Sequence, residues 1–334
     1  MAVSKAVIKK KMLGLRHSSL KLNALQPAIA LSLILVLILI HKVLPNKQMS
    51  GDTTNFIVIV LILAGLYTVW WTAALFVPSI KAKLNYDTPI IIAILLVVNI
   101  WELLTLKSNI FPAPYFPSIS KIIGVLFSDW KLLGLSALYS LRLLFLGFGC
   151  GALVGIPTGI ALGWSSRFTY WMTPVLRVIG PIPSTAWIPI VLVAFPTSLS
   201  ASVFLVALGT WFALTIMTWS GVANVNKAYF EVGRTLGASD WYMLRKVALP
   251  AALPVIFIGS FKALSVSFVA LVVAEMLGVR AGLGWYIQWA YGWAEYHKVY
   301  AALVVMGLLF SSVISFVFYI RDRVLVWQKG LIKW

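Results

Sequence analysis

Long apolar runs separated by short polar segments set the pattern of this chain. Each run is close to the roughly 20 residues that a helix needs to cross a hydrocarbon core of about 30 Å. Because backbone N–H and C=O groups cannot stay unpaired in lipid, the pattern predicts an all-α polytopic membrane protein with about eight transmembrane helices. We place these helices at about residues 28–44, 56–77, 88–106, 140–163, 175–195, 199–220, 255–277 and 299–320.

A proline-rich stretch separates the third run from the fourth. It reads PAPYFPSISKII from Pro112 onward, and its prolines exclude a continuous helix there. Ser118 is a suitable N-cap for a short helix that begins at Ile119. We expect this stretch on the outer side of the membrane.

Glycines recur at every fourth position of the fourth run and so lie on nearly one face of its helix. Small residues in register let a neighbouring helix approach closely, and helix association in lipid depends on such packing. The pattern therefore predicts a helix-packing contact, with no chemistry assigned, at Gly147, Gly151, Gly155, Gly159 and Gly163.

The fifth run contains the segment GPIPSTAWIP, in which Pro181, Pro183 and Pro189 must kink or unwind the helix. Unwound backbone at membrane depth is tolerated only where it faces protein or a water-filled path. We therefore favour a pore or gate lining over a plain kink, with Pro181 and Pro183 as the candidate residues.

The longest polar interruption in the C-terminal two thirds of the chain runs from Glu231 to Pro250 and reads EVGRTLGASDWYMLRKVALP. Its spacing predicts two short helices joined by a turn. Gly237 can take the left-handed conformation that ends the first helix, and Ser239 can cap the second. Pro250 is expected to stop the second helix before the next apolar run.

Composition and charge agree with a membrane protein. Hydrophobic residues make up 61% of the 334 residues and charged residues 11%, against about 45–50% and 25% in soluble domains. The net charge of +18 comes from basic residues between the apolar runs, which is an orientation signal rather than a nucleic-acid-binding face. The basic ends predict cytoplasmic N- and C-termini, and the first run is interpreted as a retained anchor rather than a signal peptide.

Several kinds of chemistry have no sequence support. The chain lacks a G-x-x-x-x-G-K-[ST] phosphate loop, so we do not expect it to bind ATP in that way. It also lacks a cluster of His, Cys, Asp and Glu at metal-ligand spacing, and its histidines are scattered near the ends of the runs. We therefore predict no catalytic residue, no metal and no cofactor bound by this chain.

From about Trp101 to the C-terminus the chain resembles the permeases of ABC importers for nitrate, bicarbonate, taurine, aliphatic sulfonates and related small solutes. The likeness is carried, in order, by PAPYFPSISKII, SLRLLFLGFGCGALVGIPTGIALG, PVLRVIGPIPSTAWIPIVLVAF, EVGRTLGASDWYMLRKVALPAALP and LVVAEMLGVRAGLGWYI. It implies a type I importer core of six helices at residues 88–334. Residues 1–87 would then form a basic tail and two extra transmembrane helices.

The polar stretch, within a loop at residues 221–254, resembles the cytoplasmic coupling loop, or EAA loop, of these permeases. It departs from the family in having Val232 and Gly233 where alanines are preferred. The resemblance implies that this loop docks on a separate ATPase subunit and couples ATP hydrolysis there to solute uptake. The residues assigned to this coupling are Glu231, Val232, Gly233, Gly237, Leu249 and Pro250.

The resemblance also implies an assembly. This subunit would form half of the solute pathway in a bacterial inner membrane. Its partners would be a second permease subunit, expected to be an identical copy, two ATPase subunits that hold ATP and Mg²⁺, and an external solute-binding protein. Tryptophans and tyrosines at residues 285–296 are interpreted as an interfacial belt, with contact to the binding protein as the alternative.

Three charged residues are candidates for the pathway or its gate. Lys262 either extends to the cytoplasmic surface or lines the path of an anion, and Arg142 leaves the same alternatives open. Glu275 is expected to brace an outer gate or the glycine-rich loop that follows it rather than to contact solute.

The cations favour a small anion such as nitrate, bicarbonate or a sulfonate. The alternatives are a heterocyclic vitamin precursor carried by the same machinery and, from another class, an ion-gradient-driven secondary carrier. A secondary carrier of the common kind would show inverted repeats with broken helices at matching positions, and only one strong break is visible here.

Overall fold

A computed structural model describes residues 25–48 and 53–328. The basic N-terminal tail and the last basic residues, on which the orientation prediction partly rests, lie outside this range. The chain divides into two compact units, Met1–Asp129 with Ala294–Ala301, and Trp130–Trp293 with Ala302–Trp334. The domain boundary predicted at residue 88 stays a prediction.

The described part of the first unit consists mainly of helices with apolar faces. These faces meet in a core that includes Ala30, Leu37, Val60 and Leu84. The long α3 continues into a π-helical turn at Leu103–Lys107. The helices are α1 Leu25–Val43, α2 Thr54–Phe76, α3 Pro78–Glu102 and α4 Ile119–Ser128.

Polar groups at one end of this unit are held by Lys107. Its Nζ donates to the carbonyl oxygens of His41 at 3.1 Å and Leu44 at 2.7 Å, and to Oδ1 of Asn46 at 2.6 Å. The last carbonyls of a helix have no partner within it, so Lys107 caps the C-terminus of α1.

The start of α4 confirms a local prediction. The proline-rich stretch before it is not helical, and α4 begins at Ile119. Ser118 is the N-cap, and its Oγ accepts from the Lys121 amide at 3.4 Å.

The second unit contains the longest helices. The fifth predicted span is broken there by a 3₁₀ turn at Ser184–Trp187. A π-helical turn at Leu244–Ala248 joins the second helix of the polar interruption to the helix of the following apolar run. The helices are α5 Trp130–Trp164, α6 Ser166–Ile179, α7 Ile188–Ala194, α8 Ser198–Ala223, α9 Lys227–Thr235, α10 Asp240–Met243, α11 Leu249–Gly278 and α12 Leu283–Gly292; α13 Tyr296–Val324 has residues in both units.

In the described residues, seven helices are long and apolar enough to cross a membrane, and there are eight crossings if the bent pair of α6 and α7 counts as one. The contacts between α5 and α8 favour the count of eight crossings. Gly147 faces Val206 near the start of α8, and Gly163 faces Val222 near its end, so α5 and α8 run in the same direction. The chain between two parallel helices must return across the thickness that they span. The bent pair makes that return, and the all-α polytopic fold is confirmed.

Several helices are longer than predicted. α3 begins at Pro78 rather than at 88, and α5 begins at Trp130 rather than at 140. The hydropathy of a run reports only the part of a helix that lies in hydrocarbon, whereas the helix itself continues into polar surroundings. For the same reason Arg167, which falls between the predicted helices at 140–163 and 175–195, lies in the first turn of α6, whose N-cap is Ser165.

The expectation that Pro250 stops a helix was wrong. α10, the π-helical turn and α11 form one continuous helical segment from Asp240 to Gly278. Pro250 lies in the first turn of α11, directly after the π-helical turn. Proline lacks an N–H, and the shift from i−4 to i−5 pairing in a π turn lets the backbone accommodate it without ending the helix.

Candidate functional site

The glycine stripe of α5 lies against α8. A Cβ added at Gly151 would lie 2.5 Å from the carbonyl oxygen of Ala207 and from the Cβ of Thr210. A Cβ at Gly159 would lie 2.5 Å from that of Thr218. Such distances leave no room for a side chain, so the two helices approach backbone to backbone. The other members of the stripe meet α8 in the same way, at Gly147, Gly155 and Gly163.

α8 also packs on α11, which runs in the other direction. A Cβ added at Gly259 would lie 2.5 Å from that of Met217. The hydroxyl groups of Thr210 and Ser267 are hydrogen-bonded at 2.6 Å and buried. α8 is therefore the centre of a three-helix core, and interhelical hydroxyl contacts of this type strengthen packing in lipid.

The break between α6 and α7 packs against α8. α6 and the segment Ser184–Ala194 meet at an angle of 79°. A Cβ at Gly180 would meet the ring of Phe212, and the Ser184 Oγ would lie 3.2 Å from a Cβ at Gly209. The side chains of Pro181 and Pro183, by contrast, are exposed on the single chain. The break thus has one face fixed to protein and one face open.

The two candidate cations do not meet within one chain. Arg142 on α5 and Lys262 on α11 are both exposed, and neither has an ion-pair partner among the described residues. Ser140 of α5 and Glu275 of α11 are in contact at 2.9 Å, so these two residues lie at the same depth. Counted along each helix at 1.5 Å per residue, Lys262 lies about 20 Å from the depth of this contact, and Arg142 lies about 3 Å from it in the same direction. The two cations are therefore at different depths.

Glu275 is fully enclosed rather than facing an open path. Its side chain is 1% exposed, and its Oε2 accepts hydrogen bonds from Ser140 Oγ at 2.9 Å and from the Gly284 amide at 2.8 Å. Ser140 was not among the residues singled out in the sequence. A serine inside an apolar run was the available signal, but its partner is 135 positions away.

The turn of the polar interruption has the caps predicted for it at Gly237 and Ser239, although the second helix does not end at Pro250. Asn226 caps α9, with its Oδ1 accepting from the Ala228 amide at 3.0 Å. Gly237 has a φ of +75°, and its amide donates to the Arg234 carbonyl at 3.0 Å, which ends α9. Ser239 Oγ accepts from the Tyr242 amide at 3.3 Å and caps α10.

The loop presents apolar side chains to the exterior. Leu236 at its turn is 81% exposed. Exposed apolar patches rimmed by polar residues mark interaction sites. Four exposed apolar side chains of the loop line a concavity of about 800 Å³, and we call them the loop surface: Tyr229, Val232, Leu236 and Tyr242.

The predicted coupling residues occupy two places. Glu231, Val232 and Gly237 are exposed on or beside the loop surface, and Gly233 is half-buried on α9. Leu249 and Pro250 are half-buried in the first turn of α11. In the described part of the chain no three His, Cys, Asp or Glu side chains lie together as metal ligands would.

A helical bundle with a broken crossing and an exposed two-helix loop has the features of a membrane permease. The sequence model of the family described as "Binding-protein-dependent transport system inner membrane component" matches residues 151–326. The chain belongs to this family. It is a multi-span permease component of the ABC importers, a transport subunit of a class that works with ATPase and binding-protein partners.

Individual relatives support this assignment. An ABC transporter permease protein of Methanocaldococcus jannaschii is 32% identical over 241 residues, covering 70% of this chain and 90% of that protein. The nitrate import permease protein NrtB of Leptolyngbya laminosa is 31% identical, covering 71% and 87%. The bicarbonate transport system permease protein CmpB of Synechococcus elongatus is 31% identical, covering 56% and 65%.

The fold also has a solved counterpart. A chain of the MetNI methionine ABC transporter, in an inward-facing conformation, superposes with a TM-score of 0.52 at 20% identity. The match covers 59% of this chain and 98% of that chain. At this identity the likeness concerns the fold.

Proposed function

We propose that this permease forms half of the pathway of an importer for a small anion and pairs with a second copy of itself. Two ATPase subunits, which hold ATP and Mg²⁺, dock on the loop surface, and an external binding protein delivers the solute. The observation that carries this proposal is the loop surface itself. It is apolar and exposed, and Gly237 at positive φ forms the turn that ends the short helix α9.

Coupling is a difference in how the loop interacts with two states of the ATPase pair. In this proposal Glu231, Val232 and Gly237 make the contact, and Gly233 lies beside them on α9. Leu249 and Pro250 set the direction in which α11 leaves the loop. ATP binding brings the two loops of the dimer together and opens the path outward, and hydrolysis resets it.

The pathway is assigned to the open face of the break, with Pro181 and Pro183. Lys262 and Arg142 supply positive charge along it at two depths, which favours an anion. The named substrates of two relatives, nitrate and bicarbonate, are small anions too. A heterocyclic vitamin precursor is the alternative cargo. Glu275 braces the outer end instead of meeting solute.

The orientation follows from the charges between the crossings. Eight crossings leave both termini on one side, and the basic residues at the ends of the sequence favour the cytoplasmic side of a bacterial inner membrane. The loop surface, which lies after the sixth crossing, then also faces the cytoplasm, where ATP is available.

Purification of the tagged full-length protein in mild detergent tests this function. We expect a subunit with a phosphate loop to co-purify in equal amount. Liposomes that carry the complex in their membrane should require ATP and the binding protein for uptake. A chain that purifies alone and carries solute down an ion gradient would overturn the proposal and favour a secondary carrier.

A further inference from the structure

Three hydrogen bonds meet at the N-terminus of α12, and their side-chain partners come from two other helices. Gly284 N donates to Glu275 Oε2 of α11 at 2.8 Å, and Leu283 N donates to Ser140 Oγ of α5 at 2.8 Å. Ser140 Oγ donates in turn to Glu275 Oε2 at 2.9 Å. We call these three interactions the α12 clamp.

Each hydrogen bond of the clamp has a defined donor. A serine hydroxyl has one proton and two lone pairs: the Ser140 proton goes to Glu275 Oε2, and one lone pair accepts the Leu283 N–H. Glu275 Oε2 accepts from both neighbours. The first free N–H groups of a helix need partners from outside it. Ser140 Oγ and Glu275 Oε2 are those partners for Leu283 and Gly284 of α12.

Two glycines leave the space that the Glu275 side chain occupies. Gly282 has a φ of +126°, and a Cβ there would meet the Glu275 carboxylate. A Cβ at Gly284 would lie 2.6 Å from the Val272 carbonyl oxygen and 2.7 Å from Glu275 Cβ. The spacing of glycines in this loop is therefore explained by the approach of the carboxylate.

The clamp is at one end of the continuous helical segment Asp240–Gly278. Its other end begins beside the loop surface. From Asp240 to Glu275 the segment extends roughly 50 Å at 1.5 Å per residue. Every turn between these points is α- or π-helical, so a displacement at the loop surface is carried to the clamp without an intervening non-helical hinge.

We propose that Ser140 and Glu275 are positioning residues that lock α12 to α5 and α11, so that α12 moves with α11 when the loop surface is displaced. The mechanical role rests on the proposed function; the lock itself does not. On the side that we assign to the exterior, the clamp makes α5, α11 and α12 one moving body and transmits the ATPase cycle to the outer opening.

Hydrogen exchange of the purified full-length protein in nanodiscs tests the lock. Ser140→Ala removes one acceptor and one donor, and we expect exchange at the start of α12 to rise roughly tenfold, the effect of about one net hydrogen bond. Ser140→Thr retains the hydroxyl and should restore protection. Ser267→Ala is the matched control, since it removes a buried hydroxyl that bonds Thr210 and does not touch α12. Equal exchange in Ser140→Ala and the unmodified protein would refute the lock.

Ser140→Cys provides a second variant if Ser140→Ala does not fold. The thiol is similar in size but a weaker donor and acceptor, so the same rise in exchange is expected. Unchanged protection in a folded Ser140→Cys protein would also refute the lock.

Reconstituted complexes test the mechanical role. We expect Ser140→Ala to retain ATP hydrolysis while the solute moved per ATP falls roughly tenfold, in step with the lost protection, and Ser140→Thr to recover it. A loss of hydrolysis and uptake in equal proportion would indicate only a folding defect and would overturn this role. Failure to find any ATPase partner would defeat the proposed function while leaving the exchange result intact.

Discussion

Gly151 of α5 and Thr210 of α8 are so close that a Cβ on the glycine would lie 2.5 Å from the Cβ of the threonine. Gly149, on the same helix, has nothing within 4 Å of its Cβ position. Two glycines separated by one residue thus have opposite roles, and the difference is decided by which face α8 covers.

This difference predicts the outcome of valine substitutions. Gly151→Val should destabilise the bundle by about 1–3 kcal/mol or prevent folding, because α8 cannot move away without losing the rest of its contact with α5. Gly149→Val should have little effect. Thermal unfolding of the purified proteins in detergent measures both, and a comparable loss in the two variants would contradict the packing assignment.

Gly237→Val should weaken docking of the ATPase. Nothing lies within 4 Å of the Cβ position, so the expected cost, about 1–2 kcal/mol, comes from the positive φ alone. Gly237→Asn, which tolerates this conformation, is the control. The measurement is the amount of ATPase retained at equal membrane insertion; full retention by the valine variant would argue against a role for this turn.

Leu236→Glu should abolish docking without affecting the fold. The side chain is 81% exposed, so its replacement removes few internal contacts but places a charge on the loop surface. Leu236→Met should keep both docking and activity. Co-purification and ATP-dependent uptake distinguish the two, and normal uptake by the glutamate variant would place the docking contact elsewhere.

Gly233→Ala should be tolerated and should stabilise α9. A Cβ there would lie 3.5 Å from Met243 Cγ, an ordinary contact, and alanine is about 1 kcal/mol more favourable than glycine inside a helix. Hydrogen exchange in residues 227–235 should slow, with coupling unchanged. Faster exchange there would show that the site has no room for a methyl group.

Lys262→Met separates the two interpretations of this cation. If Lys262 lines the path, the concentration of nitrate or bicarbonate needed for half-maximal uptake should rise about tenfold, the effect of losing about 1.4 kcal/mol of attraction. Lys262→Arg, which keeps the charge, should preserve uptake. A lysine that only extends to the membrane surface predicts no change in either variant.

The described structure bears out much of what the sequence predicted, and those features are local. The positive φ of Gly237, the caps at Ser118 and Ser239, and the break after Gly180 each depend on residues within about one or two turns. The membrane-crossing runs were visible because apolar length alone decides whether a helix can span lipid. The helix ends were missed because hydropathy does not register a helix once it leaves hydrocarbon.

The sequence by itself determined the helical class, the crossings and the turn chemistry, because these depend on neighbours along the chain. The tertiary structure decided that the glycine stripe meets α8, that Arg142 and Lys262 lie at different depths, and that Ser140 reaches Glu275. The continuation of helix past Pro250 also appeared only there. Contacts between distant parts of the chain depend on how helices pack side by side, and the order of residues along one helix does not specify its neighbour.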